Sequence, residues 1–138
     1  MDLAQLYKVD NMRILILGGD GYLGWPTAMH FAALGHEVSV IDNYLRRNIA
    51  RETSSEPLFE APNLTKRAAL FKELTGHSIE VFISDCADYD RLAEVVQKTS
   101  PEIVVHYAEQ PSAPYSMQNR HTADLTIFNN IGTTFNLI

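Results

Sequence analysis

Four short, largely aliphatic runs recur along the chain, separated by longer stretches in which apolar residues have a helical spacing. The runs cover residues 13–17, 37–41, 79–83 and 103–107. Runs of this length and composition are typical of strands that are covered on both faces, as in a parallel sheet. The pattern therefore predicts four strands, each followed by a helical connection.

The intervening stretches predict helices over about residues 23–34 and 66–74. A third helix is expected to begin at a cap formed by Asp88 or Asp90, and a last helix is expected to begin at about Thr122. Residues 44–64 show no period and are expected to form a long excursion over the surface. Glycines 35 and 76 are expected to end the first two helices in the left-handed conformation. The residues expected to face the core are Ala28, Phe31, Leu34, Leu92, Val95, Val96, Leu125, Phe128 and Phe135.

Alternation of strands and helices implies right-handed crossovers and a parallel sheet. We therefore expect an α/β fold of the Rossmann type, a doubly wound parallel sheet with strand order 3-2-1-4 whose chain ends in a helix. Residues 1–11 are interpreted as an N-terminal extension. Residues 12–138 are interpreted as a dinucleotide-binding domain that lacks its later strands and its substrate portion.

Composition narrows the possible partners. The net charge is −6 with scattered basic residues, which argues against nucleic acid. A single cysteine excludes an internal disulfide, and no cysteine–histidine cluster suggests a metal. No apolar run has the length of a membrane span, and the first residues do not resemble a secretory signal. The expectation is a soluble, cytoplasmic protein with no metal and no membrane partner.

The strongest chemical signal is a glycine-rich turn between the first strand and the first helix. Its glycines, Gly18, Gly21 and Gly24, have G-x-x-G-x-x-G spacing. The first allows a tight turn, the second lets a pyrophosphate approach the backbone, and the third permits close helix packing. The amides at the helix start then face the phosphates. In this context the motif predicts dinucleotide binding rather than a turn without a ligand.

Asp42 ends the second strand, where a carboxylate accepts hydrogen bonds from the adenosine ribose hydroxyls and repels the 2′-phosphate of NADP. NAD is therefore the expected cofactor. Arg46 and Arg47 are the counter-evidence, because a guanidinium here binds that phosphate in NADP enzymes. The alternatives for these arginines are a contact with the pyrophosphate or simple solvation.

Two further pairs follow strands. Asp85 is placed to accept a hydrogen bond from the adenine amino group, with Cys86 beside the ring; a helix cap with a small buried neighbour is nearly as good an interpretation. His106 and Tyr107 lie at the carboxyl edge of the fourth strand, where ligands of open α/β sheets bind. For His106 alone, a structural role is favoured over a catalytic one.

With these residues placed, the chain resembles the extended short-chain dehydrogenases/reductases. Asn129 to Asn136 (NNIGTTFN) resembles the N-N-x-x-G-T-x-N run of that family, with Thr133 at its glycine position. Within it, the chain is most similar to the UDP-sulfoquinovose synthases. That likeness rests on GGDGYLGWPTA (18–28), IDNYLRR (41–47), ELTGHSIEVFISDCAD (73–88) and VVHYAEQPSAPYSM (104–117).

The resemblance implies NAD contacts and places three residues near a sugar nucleotide. This sequence departs from the family's pattern at Pro111, where the family usually has an arginine that would contact the substrate or the incoming sulfur anion. Residues 109–117 are otherwise interpreted as a proline-stiffened connector. The implied substrate residues are Gln110, Ser112 and Tyr115, and the cofactor residues are Gly18, Gly21, Tyr22, Leu23, Gly24, Asp42, Asn43, Arg46, Asp85, Cys86, Tyr107 and Asn129.

The resemblance implies a reaction that converts UDP-glucose and sulfite, or a sulfite donor, to UDP-sulfoquinovose. NAD is expected to stay bound and to be recycled, and the full-length protein is expected to be a homodimer. The family's Tyr-x-x-x-Lys pair is absent from these 138 residues. Residues 1–138 alone are therefore expected to bind NAD weakly and to be inactive. The alternatives are a nucleotide-sugar 4-epimerase or 4,6-dehydratase, and a non-catalytic NAD-binding module.

Overall fold

The computed structural model describes residues 10–55 and 57–138, and within them four strands form one parallel sheet. Strand β1 spans Arg13–Leu17, β2 Glu37–Asp42, β3 Ile79–Ile83 and β4 Ile103–His106. The strand order is β3-β2-β1-β4, with every neighbouring pair parallel. The predicted fold class and order are confirmed. Because β1 and β2 are central, their ends form the floor of the crevice described below.

The helices are α1 (Gly24–Ala33), α2 (Leu45–Glu52), α3 (Leu64–Thr75), α4 (Tyr89–Thr99), α5 (Ala113–Ser116) and α6 (Arg120–Phe135). Side-chain oxygens of Asn63, Asp88 and Asn119 accept backbone hydrogen bonds at the starts of α3, α4 and α6. These caps satisfy amides that have no partner inside the helix. Gly35 and Gly76 follow α1 and α3 with φ of +92° and +78°, as predicted.

The expectation of an unstructured excursion over residues 44–64 was wrong in part, because α2 occupies its first half. Only Ile49 of α2 is buried, so the helix has almost no apolar periodicity to indicate it. Tyr44 precedes it with φ of +59°, and the Asn43 side chain accepts a hydrogen bond from the Leu45 amide. Local side-chain bonds therefore start a helix that hydrophobic patterning does not predict.

The core lies on both faces of the sheet, because successive strand residues point to opposite sides. On one face Ile14 and Ile16 pack with Trp25, Ala28 and Leu64 of the helices α1 and α3. On the other face, Leu15, Leu17, Ile41, Cys86, Leu92 and Val95 form a second cluster beneath α4.

Three residues expected in the core are exposed instead. Leu34 caps the end of α1, beyond its buried face, and Phe128 and Phe135 of α6 are 72% and 73% exposed. The buried residues of α6 are Thr122 and Thr133. This helix turns its polar side toward the sheet because its asparagine and threonine side chains bond to the loops there. An apolar residue in an amphipathic helix does not by itself show which face is covered.

Residues 1–9 of the predicted extension lie outside the described residues, and Asp10 and Asn11 precede β1 without regular structure. Within residues 10–55 and 57–138, every helix is too short or too polar to cross a lipid bilayer.

Candidate functional site

The glycine turn is held between the carboxyl ends of β2 and β4. The amides of Gly18 and Gly19 donate to the Ile41 carbonyl oxygen over 2.9 and 3.2 Å. Gly18 has φ of +81°, and a Cβ on it would lie 2.6 Å from the carbonyl carbon and oxygen of Tyr107. A side chain at this position meets both conformational strain and backbone atoms. The predicted role of Gly18 in a tight turn agrees with this geometry.

Gly24 packs against the turn itself. A Cβ on Gly24 would overlap the carbonyl oxygen of Gly18, so the start of α1 rests directly on the turn rather than on the sheet. At Gly21 the nearest atom to an added methyl is the same oxygen at 3.2 Å, so this position is much more open. Leu23, the N-cap of α1, has no side-chain acceptor, and the first-turn amides are left uncapped by it. This arrangement of bare backbone suits an anionic group.

Asp42 is turned toward the glycine turn. Its Oδ2 accepts a hydrogen bond from the Asp20 amide at 2.9 Å, and its Oδ1 accepts one from the Tyr44 amide at 2.6 Å. Burial raises the pKa of the carboxyl above its ordinary value of 3.8, and those two hydrogen bonds oppose the rise. The side chain predicted to bind the ribose is thus fixed in place.

The raised pKa of Asp42 gives a pH prediction. Without cofactor, the contribution of this group to stability is greatest below pH 3.8 and is lost as the pH rises through the raised pKa. Ribose hydroxyls donate to the ionised form, so NAD affinity is expected to fall as the pH drops through that pKa. Titration calorimetry between about pH 7.5 and 4.5 measures this. Asp42→Asn is expected to bind weakly with no such fall, and an equal fall in the variant would contradict the assignment.

Asp85 and Cys86 follow β3. Oδ1 of Asp85 accepts a hydrogen bond from the Ala87 amide at 2.9 Å, closing a local turn, while the cap of α4 is Asp88. Cys86 is 3% exposed, and its carbonyl oxygen accepts a hydrogen bond from Asn136 Nδ2 at 3.0 Å. The loop after β3 is therefore tied to the end of α6.

Cys86 is expected to be unreactive in the folded protein. Burial raises the pKa of its thiol from 9.0 to about 12, with smaller contributions from the negative charges of Asp42 and Asp85. The reactive thiolate is then about a thousandfold scarcer than in the unfolded chain. Alkylation of the Cys86 peptide by iodoacetamide, followed by mass spectrometry, is expected to be slower in buffer than in urea by about that factor. Comparable rates in the two solutions would contradict this environment.

His106 has a structural position. Its Nδ1 accepts a hydrogen bond from the Ala108 amide at 3.2 Å, which leaves Nε2 to face Glu109 Oε1 at 3.0 Å and Thr134 Oγ1 at 3.3 Å. Both ring nitrogens thus have partners, and the contact with Thr134 connects β4 to α6. Tyr107 is 39% exposed at the same edge. The preference for a structural His106 agrees with these contacts.

The segment after β4 is fastened to α6 by amide side chains. Asn130 Oδ1 accepts from the Gln110 amide at 2.8 Å, and Asn130 Nδ2 donates to the Gln110 carbonyl oxygen at 3.1 Å. Gln110 is 7% exposed, and its Oε1 accepts from the Ser112 amide at 2.8 Å. The side chain of Asn129 also donates to the Ala108 carbonyl oxygen at 3.2 Å.

Two of the predicted substrate residues lie inside this segment rather than on the crevice. Ser112 caps α5 by accepting from the Tyr115 amide, and Tyr115 is 5% exposed. Gln110 lines the crevice, but its side chain is folded onto its own loop. The substrate-binding roles of all three residues stay predictions.

The crevice at the carboxyl edge of the sheet has a volume of about 430 Å³. All twelve residues predicted to bind the cofactor line it, together with several that were not predicted to bind the cofactor. The predicted set is Gly18, Gly21, Tyr22, Leu23, Gly24, Asp42, Asn43, Arg46, Asp85, Cys86, Tyr107 and Asn129, and the additional ones include Asp20, Leu45, Glu109, Pro111 and Thr133.

Asp20 is a crevice residue that the sequence interpretation overlooked. It lines the crevice between two glycines of the motif, and its carboxylate pairs with Arg47 and Arg67. The negative charge of Asp20 could have pointed to it in the sequence, because an acidic side chain in a turn predicted to bind phosphate requires a nearby cation. Arg47 is therefore neither solvated nor directed at a phosphate in this structure.

Residues 14–138 match the NAD dependent epimerase/dehydratase family. The chain is 41% identical over 127 residues to UDP-sulfoquinovose synthase of Sulfolobus acidocaldarius, which covers 92% of this chain and 32% of that protein. It is 36% identical over 126 residues to chloroplastic UDP-sulfoquinovose synthase of Spinacia oleracea, covering 91% and 26%.

Among solved structures, the UDP-Glc/GlcNAc 4-epimerase of Campylobacter jejuni superimposes with a TM-score of 0.62 at 27% identity, covering 92% of this chain and 32% of that one. The chain thus spans about a third of the length of the relatives it matches. NAD is the cofactor of the matched family, and the match extends over the glycine turn, Asp42 and α6. The chain belongs to the NAD dependent epimerase/dehydratase family.

Proposed function

We propose that the full-length protein is a UDP-sulfoquinovose synthase, which makes UDP-sulfoquinovose from UDP-glucose and sulfite with NAD bound and recycled. The observation that carries the proposal is the 41% identity over 92% of the chain to the Sulfolobus acidocaldarius synthase, against 30% over 77% to the UDP-glucose 4-epimerase of Mus musculus. The excess identity favours the synthase over a 4-epimerase, which is the second candidate.

The crevice fits the proposed cofactor. A Cβ fits poorly at Gly18 and Gly24 even without a ligand, whereas Gly21 leaves bare backbone facing the crevice. In the proposal the pyrophosphate lies against Gly21 and the uncapped start of α1, and the ribose hydroxyls donate to Asp42. Asp85 and Cys86 border the adenine, and Tyr107 and Asn129 border the nicotinamide half.

When bound, NAD supplies reversible removal of hydride from the sugar. The residues of this chain bind and orient both reactants and keep water from them. The segment after β4 would border the sugar, and its double hydrogen bond to Asn130 holds it in one position. Pro111 lines the crevice where the family's arginine is expected, so this chain offers the sulfur anion no cation at that position.

Product analysis of the full-length protein tests the proposal. We expect incubation with UDP-glucose and sulfite to give a sulfonated sugar nucleotide by mass spectrometry, with none when sulfite is omitted. UDP-galactose formed without sulfite, which has the same mass as UDP-glucose and is separated from it by chromatography, would instead identify a 4-epimerase, and loss of water alone a dehydratase. NAD binding with no turnover would indicate a non-catalytic module.

A further inference from the structure

A partly buried ionic cluster lies beside the proposed cofactor site, and we call it the Asp20 cluster: Asp20, Arg47 and Arg67. The Asp20 side chain is 9% exposed. Its Oδ2 accepts a hydrogen bond from Arg47 Nε at 2.6 Å and its Oδ1 one from Arg47 Nη2 at 2.7 Å, so the pair is bidentate. Arg67 Nη2 also contacts Oδ1. One carboxylate in the glycine turn therefore pairs with two guanidinium groups.

Both arginines are held by further contacts. Arg47 donates to the carbonyl oxygens of Ala61 and Pro62 at 2.7 and 2.8 Å. The Arg67 guanidinium lies 4.8 Å from the centre of the Trp25 ring. Because Arg47 lies in α2 and Arg67 in α3, these contacts hold the two cations beside Asp20, which itself lines the crevice.

The cluster is directly connected to Asp42. The backbone amide of Asp20 donates to Asp42 Oδ2, while the Asp20 side chain binds Arg47. The Arg47 charge thus lies close to the carboxylate proposed to bind the ribose, and it opposes in small part the burial that raises the pKa of Asp42. This is the position where a 2′-phosphate on the ribose would come to lie.

Stability alone does not explain the cluster. Removing three charges from water costs several kcal/mol, and buried ion pairs are often replaced by apolar residues at no loss. Within residues 10–55 and 57–138, the Nε of Arg67 is a buried side-chain nitrogen that has no hydrogen-bond partner. A buried donor without a partner is a cost to stability rather than a gain.

We propose that Asp20 is a cofactor-specificity residue, which pairs with both Arg47 and Arg67 and so keeps these two guanidinium groups from binding the 2′-phosphate of NADP beside Asp42. The inference rests on the proposed binding of NAD. The two carboxylates and two guanidinium groups together carry no net charge. Loss of the Asp20 charge leaves one net positive charge next to the ribose, and a guanidinium released from its bidentate partner is suited to bind phosphate.

The test compares the affinities of the full-length protein for NAD⁺ and NADP⁺ by titration calorimetry, after removal of any co-purified nucleotide. Asp20→Asn keeps the shape of the side chain and is expected to shift the NADP/NAD affinity ratio toward NADP by about tenfold or more. Arg47→Met is expected to shift the ratio the opposite way, because it leaves a net negative charge beside the ribose. A general defect in folding weakens the binding of both cofactors alike and leaves the NADP/NAD affinity ratio unchanged.

Glu80→Gln is the matched control. It also removes one carboxylate from an ion pair, with Lys98 at 2.8 Å, but Glu80 lies near the opposite end of the sheet and does not line the crevice. The NADP/NAD affinity ratio of the Glu80→Gln protein is expected to equal that of the unmodified protein. An unchanged ratio in both Asp20→Asn and Arg47→Met would overturn the inference. If Asp20→Asn does not fold, Arg47→Met alone decides. Failure of the unmodified protein to bind NAD would instead refute the proposed function.

Discussion

Replacing Gly24 with alanine is expected to lower the free energy of unfolding by about 2–3 kcal/mol. The added methyl would overlap the Gly18 carbonyl oxygen and lie 2.8 Å from its carbonyl carbon. Backbone atoms cannot rotate away as a flexible side chain can, so α1 or the glycine turn must shift. Urea unfolding followed by circular dichroism measures the change.

Gly132→Ala is the matched control, since it is also a glycine-to-alanine change in a helix. A Cβ on Gly132 would have as its nearest neighbour the Ala87 Cβ at 4.0 Å, which is an ordinary contact. The higher helix propensity of alanine is expected to stabilise the fold by about 0.5–1 kcal/mol. Equal effects of the two substitutions would show that Gly24 is not packed against the turn.

The fold was predictable because the signals that specify it are local. Each strand is one aliphatic run, and Gly35 and Gly76 mark helix ends within a few residues of the apolar pattern. The position of the crevice follows from the same information, since parallel strands bring the residues after β1, β2, β3 and β4 to one edge. That is why residues as distant in sequence as Gly18 and Tyr107 were expected in one site, whereas Asn129 was expected there from the family resemblance.

The details that escaped the sequence depend on pairings between distant residues. Asp20 contacts Arg47 and Arg67, which are 27 and 47 residues away, and no periodicity connects them. Similarly, the face of α6 that carries Phe128 resembles a core face, but asparagine bonds from Asn129, Asn130 and Asn136 turn the opposite side toward the loops. Hydrogen-bond partners decide these cases, and hydrophobicity does not reveal them.

Gly21→Ala is expected to separate cofactor binding from folding. Gly21 does not adopt a positive φ, and the nearest atom to an added methyl is 3.2 Å away, so a shift of a few tenths of an ångström accommodates it. We expect the free energy of unfolding to change by less than about 1 kcal/mol. In contrast, the methyl occupies the backbone surface proposed for the pyrophosphate, so the NAD dissociation constant is expected to rise by about tenfold or more, a loss of about 1.4 kcal/mol.

Titration calorimetry and urea unfolding on the same preparation of full-length protein give both quantities for Gly21→Ala. Gly35→Ala is the control for a glycine outside the crevice: its φ of +92° makes alanine costly by about 1 kcal/mol, but nothing lies within 4 Å of the added methyl. This control is expected to lose stability and keep its NAD affinity, the reverse of Gly21→Ala. Unchanged affinity in a folded Gly21→Ala protein would mean that the phosphates do not rest on this turn, and the proposed cofactor position would be wrong.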